Sequence, residues 1–124
     1  MQFVDNSAAG NATVTNHTQL VSTSSATAGN ATMTNNNQLT FNNSATAGSA
    51  AITNYNQLTF YSNSTAGNAV ITNSGNVLFD GDSTPGNAQL VNTDPGAVIN
   101  FFTPWPGAHA DAEAQSWRSM RNIA

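Results

Sequence analysis

The chain has 124 residues, enough for one hydrophobic core and too few for a second independent fold. It carries 2 Lys+Arg against 6 Asp+Glu, a net charge of −4, and no cysteine. Two basic residues cannot neutralise a run of phosphates or hold an anionic lipid surface, so nucleic-acid binding and a polybasic membrane patch are excluded, as are disulfides and thiolate metal sites.

The start, Met1-Gln2-Phe3-Val4-Asp5, lacks the basic residues and apolar run of a signal peptide, and no apolar stretch is long enough to span a membrane. From there the chain repeats with a period of 19 residues. Glycine recurs at Gly10, Gly29, Gly48, Gly67 and Gly86, and asparagine at Asn16, Asn35, Asn54, Asn73 and Asn92. Apolar columns keep the same spacing: Ala12, Ala31, Ala50, Ala69, Ala88; Val14, Met33, Ile52, Ile71, Leu90; and Leu20, Leu39, Leu58, Val77. Phe41, Phe60 and Phe79 form a further column, which Phe3 precedes and Val98 follows.

Within one copy the periodicity is two. Ala31 and Met33 alternate with Thr32 and Thr34, and Leu39 and Phe41 flank Thr40, which predicts strands with one face inward. The glycine column supplies a sharp turn at one place in every coil. A short third segment, Ser25-Ala26-Thr27-Ala28, sets small residues beside a threonine column of Thr27, Thr46, Thr65 and Thr84. The fold expected is therefore all-β: a parallel β-helix, or solenoid, of about five coils over residues 1–100, with two clear strands and a shorter third in each. Stacked at about 4.8 Å per layer it would stand about 25 Å tall. The asparagine column has two readings: inward amides bonded to one another along the stack, or turn residues with left-handed backbone angles.

The repeat fades in its last copy, where Gln89, Val91, Pro95 and Gly96 replace Thr, Thr, Gln and Leu. Residues 101–124 are expected to form a C-terminal cap with a helix over about 111–123. Asp111 and Glu113 lie in its first turn, Arg118 and Arg121 in its last, and Ala114, Trp117, Met120 and Ala124 on one stripe. Trp105, Trp117 and Met120 are the residues expected over the last apolar layer. At the other end Phe3 already lies in the phenylalanine column, so the chain enters in mid-coil. Either it is cut from a longer solenoid or that edge pairs with another subunit.

The unit Ser-Thr-Ala-Gly-Asn-Ala-(Val/Ile)-Ile-Thr-Asn followed by Asn-Gln-Leu-Thr-Phe resembles the passenger repeats of bacterial autotransporters and the 19-residue repeats of filamentous-haemagglutinin-type adhesins. The resemblance covers residues 1–100 and implies a right-handed β-helix, secreted or displayed at a bacterial surface, with a structural or adhesive role. The partners it implies are another copy of itself, stacked end to end, or a host or cell-surface ligand. The chain is expected to depart from those families in carrying no secretion signal and no membrane barrel and in ending with a helix.

Catalytic chemistry is sparse. Asp80 and Asp82 are two apart and Asn92-Thr93-Asp94 is similar to a word of polygalacturonases, but the aspartate pair, glycine-flanked histidine and basic motif of that family are missing. Aspartates in solvated turns are the simpler reading. His17 and His109 have no acidic partner at ligand spacing, and a calcium solenoid would place aspartate in every coil, so no metal or cofactor is expected. The chain is read as non-enzymatic. One surface stands out: Thr13/Thr15 and Thr32/Thr34 form outward Thr-x-Thr pairs, continued by Thr53 and Thr72, although the partner positions change to Ala51, Val70 and Gln89. Such an array is the alternative reading, an ice-binding face, against the simpler one of threonine in half-exposed strands.

Overall fold

A computed structural model describes residues 1–102; the expected helix, Trp105, His109, Trp117 and Met120 lie outside the described residues. Eleven strands follow in order: β1 (Gln2–Phe3), β2 (Thr13–Asn16), β3 (Gln19–Ser22), β4 (Thr32–Asn35), β5 (Gln38–Phe41), β6 (Ala51–Asn54), β7 (Gln57–Phe60), β8 (Val70–Asn73), β9 (Asn76–Asp80), β10 (Gln89–Asn92) and β11 (Val98–Phe102). Odd-numbered strands form a six-stranded parallel sheet and even-numbered strands a five-stranded one, each strand pairing with its copy in the next coil. The third side is a column of parallel bridges joining Ala8, Thr27, Thr46, Thr65 and Thr84. The result is a three-sided β-solenoid of about five turns, as the period predicts.

The registers bring equivalent residues together: Met33 beside Ile52, Leu39 beside Leu58, Asn35 beside Asn54. Because side chains alternate across a strand, this register sends Leu20, Leu39, Leu58 and Val77, with Phe41, Phe60 and Phe79, inward from the odd strands. Phe41, Phe60, Phe79 and Phe101 stack with ring centroids 4.9, 4.8 and 5.1 Å apart and planes within 12° of parallel. Ala45, Ala47, Ala50 and their copies fill the narrow side. The small residues are required there, since a triangular coil leaves little room opposite a phenylalanine.

Two corners turn through left-handed backbone. At the first, Gly10, Gly29, Gly48, Gly67 and Gly86 have φ between 59° and 64°, and Thr27, Thr46 and Thr65 Oγ1 accept the N–H of Gly29, Gly48 and Gly67 at 2.9–3.0 Å. Glycine is needed for space as well as for φ. A Cβ on Gly48 would lie 2.8 Å from the Gly29 carbonyl oxygen and 2.9 Å from Thr27 Oγ1. The second corner was not anticipated: Asp5, Ser24, Asn43 and Ser62 take φ of 56–60°, and Gly81 completes their column.

One expectation is corrected. Val98 does not continue the phenylalanine column; it pairs with Asn76, while Ile99 pairs with Val77 and Phe101 with Phe79. The turn Asp94-Pro95-Gly96 adds three residues to the last coil, after which the Leu-x-Phe word returns as Ile99-x-Phe101. The Ala97 N–H bonds the Asp94 carbonyl at 3.0 Å and the Gly96 N–H bonds Asp94 Oδ1 at 2.9 Å, so the inserted residues close as a compact turn. The odd sheet consequently runs through Phe102.

The phenylalanine column is interrupted in the coil that follows Phe3. Ser22 occupies the phenylalanine column between Phe3 and Phe41, is buried, and its Oγ has no hydrogen-bond partner. Ser22→Phe should raise stability by about 1–2 kcal/mol, by filling the gap and removing an orphan hydroxyl. Thermal unfolding measures this, and a lowered Tm would show that the layer is already full.

Candidate functional site

The third corner carries the asparagine column, and its geometry decides between the two sequence readings. Asn16, Asn35, Asn54 and Asn73 each donate from Nδ2 to Oδ1 of the asparagine one coil on, at 2.8, 2.7, 2.8 and 2.9 Å. A second bond from each Nδ2 reaches a main-chain carbonyl at the start of the adjoining odd strand: Gln38, Gln57, Asn76 and Val98, at 2.7–3.1 Å. The asparagines are buried, and none is among the residues with positive φ. They form an inward amide ladder. A buried primary amide has two donors and an acceptor to satisfy, and the 19-residue period satisfies them in every interior layer.

The ladder has a direction. Each amide donates toward the C-terminal coil, so Asn16 spends its protons on Asn35 Oδ1 and the Gln38 carbonyl and presents Oδ1 outward. At the far end, among the described residues, Asn92 Nδ2 reaches only the Ala97 carbonyl, at 3.5 Å. Among the described residues β1 and β2 form one pair of terminal strand edges, and β10 and β11 the other.

The predicted threonine face lies on the outside of the even sheet. Thr15, Thr34, Thr53 and Thr72 stand in register in one column, which Val91 continues. Thr13 and Thr32 share the neighbouring column with Ala51, Val70 and Gln89. The Thr-x-Thr pair is thus complete in two rungs, Thr13/Thr15 and Thr32/Thr34.

The aspartates do not converge. Asp80 Oδ1 accepts the Gly81 N–H at 2.7 Å, at the C-terminal end of β9, whereas Asp94 shapes the inserted turn between β10 and β11. Asp82 is exposed beyond the Asp80 corner. His17 is exposed, 3.5 Å from Asn36 Nδ2. Among the described residues no three His, Cys, Asp or Glu side chains group together, and no helix is long and apolar enough to cross a membrane.

The sequence reading missed a surface on the odd sheet. Its outward positions are Gln19 and Val21 in β3 and Gln38 and Thr40 in β5, but from β7 onward Tyr61, Leu78, Asp80, Val98 and Phe102 appear among them. Tyr61 and Asp80 do lie 19 residues apart, in a column begun by Val4, Thr23 and Asn42; Phe102 joins them only once the three inserted residues are placed.

No protein-family model, curated protein or solved structure matches the chain.

Proposed function

We propose that this chain is a structural or adhesive β-solenoid segment of a secreted or surface-displayed bacterial protein, without catalytic activity, acting as a rigid spacer or stalk. The observation that carries the reading is the unbroken main-chain and amide ladder along the stack, which stiffens the molecule in one dimension. The resemblance of its repeat to autotransporter and filamentous-haemagglutinin-type repeats supports the location and the right hand of the coil.

End-to-end association belongs to the same reading. The edges of β1 and β2 close the N-terminal end of the described stack, and exposed strand edges template further pairing. The Asn16 end offers an amide acceptor with no proton to spare, so two such ends face to face would set acceptor against acceptor. A head-to-tail contact sets Asn92 Nδ2, a donor, against Asn16 Oδ1 instead, and heterologous contacts of this kind build open filaments. Light scattering across a wide concentration range should show mass growing with concentration. Asn16→Leu should suppress that growth, and a concentration-independent monomer would remove self-association from the account.

The in-register column Thr15, Thr34, Thr53 and Thr72 favours a second reading, an ice-binding face. It predicts thermal hysteresis that vanishes in Thr34→Tyr and Thr53→Tyr. A wild-type solution without hysteresis eliminates it.

A further inference from the structure

Across β7, β9 and β11 the odd sheet changes character. Phe60, Phe79 and Phe101 point inward in register, so the residues that follow them, Tyr61, Asp80 and Phe102, form an outward column with Asp80 one rung from each ring. Tyr61 is 40% and Phe102 62% exposed, and the two rungs between them set the rings about 9.6 Å apart by strand spacing. Asp80 Oδ1 is fixed by the Gly81 N–H at 2.7 Å, which leaves Oδ2 to accept from outside. The next outward column is Thr59, Leu78 and Asn100, and the one beyond it Gln57, Asn76 and Val98, with Gln57 Nε2 donating to Thr59 Oγ1 at 3.0 Å.

We propose that this face binds a neutral polysaccharide strand, running across the rungs with sugar faces on Tyr61 and Phe102 and hydroxyls on Asp80, Asn76 and Asn100. The proposal names a ligand class for the adhesive reading and rests on it. Physical bounds select the occupant. Residues 1–102 contain four aspartates and no Lys or Arg, so the face has nothing to attract an anionic polymer. A wholly apolar partner would strand the amides and the carboxylate without hydrogen bonds, at about 1–3 kcal/mol each.

Size argues against a protein partner. Three rungs by five residues project to roughly 240 Å², far below the roughly 800 Å² per side of a stable protein interface. A sugar polymer suits both the size and the chemistry: it returns hydrogen bonds through its hydroxyls while laying C–H faces on aromatic rings. The β-framework beneath is already rigid, so ordering it on binding costs little.

The test is native electrophoresis of the full chain through gels containing hydroxyethyl-cellulose, xylan or galactomannan. At least one polymer should retard the wild type. Tyr61→Thr and Phe102→Asn should each weaken retardation about tenfold, whereas Tyr55→Thr, on another corner, should not. Circular dichroism checks that the variants fold. An NMR titration of the unaltered chain with xylohexaose and cellohexaose reads the same site without mutation, through shifts at Tyr61, Asn76 and Asn100. No retardation and no shifts, undiminished retardation in both aromatic variants, or capture of a protein partner by this face in place of glycan would each overturn the proposal. Concentration-dependent mass without glycan binding would sink the proposal and leave the structural reading standing.

Discussion

Phe60→Ala should cost about 3–5 kcal/mol and lower Tm by ~10 °C or more. Phe60 is fully buried between Phe41 and Phe79, at 4.9 and 4.8 Å with nearly parallel planes. Truncation removes the transfer free energy of a large side chain and two ring contacts, each worth about 0.5–1.5 kcal/mol beyond area. The cavity cannot close easily, because main-chain pairing of β7 to β5 and β9 holds the layer spacing fixed. Phe3, half-buried in the first layer, is the internal comparison, and Phe3→Ala should cost less than half as much. Denaturant unfolding of the two variants measures the difference; equal costs would mean that the stack is not continuous.

The second large effect is expected at the ladder. Asn54 accepts from Asn35 Nδ2 at 2.7 Å and donates to three acceptors: Asn73 Oδ1 at 2.8 Å, the Asn76 carbonyl at 2.9 Å and the Asn56 carbonyl at 3.1 Å. Asn54→Asp keeps the acceptor and turns the donor into a second carboxylate oxygen facing three oxygens. A buried charge without a cation costs about 3–5 kcal/mol.

Protonation restores one donor, so the folded-state pKa of the new carboxyl lies above its unfolded value of about 3.9. The sign follows: the defect is complete well above the folded pKa, shrinks as pH falls through it, and is least below about pH 4. Asn36→Asp, on the exposed side of the same corner, should change stability by under about 0.5 kcal/mol at any pH. Thermal melts of both variants from neutral to acid pH test this. A pH-independent loss for Asn54→Asp would show that no charge is being buried.

Much of the fold was legible because a solenoid writes its register into its period. The glycine, alanine and leucine columns specify the strands, the first corner and the core face. The asparagine column was visible but ambiguous, since the residue suits a left-handed turn as well as a buried ladder; only burial and the 2.7–2.9 Å amide spacing separate the two. The second left-handed corner hid because its residues change from coil to coil, Asp5, Ser24, Asn43, Ser62 and Gly81, and serine is a weak signal for positive φ.

Val98 was misplaced because a fixed period was carried across an insertion. The turn word Asp94-Pro95-Gly96 and the delayed Ile99-x-Phe101 were the available signals. The same slip concealed the aromatic column, since Phe102 meets Asp80 and Tyr61 only in the shifted register. The outward position of the threonines follows from strand alternation, while the register shows how few rungs hold the complete pair.

The most direct test of the account is a through-space NMR experiment on the labelled chain, read for contacts between residues one coil apart. Stacking in this register predicts contacts at a separation of 19, as Leu39 to Leu58 and Leu58 to Val77, and then Val77 to Ile99 at 22. Side-chain amide contacts should join Asn35 to Asn54 and Asn54 to Asn73. Contacts from Val77 to Gly96 in place of Ile99 would contradict the inserted turn, and antiparallel or purely local contacts would contradict the solenoid itself.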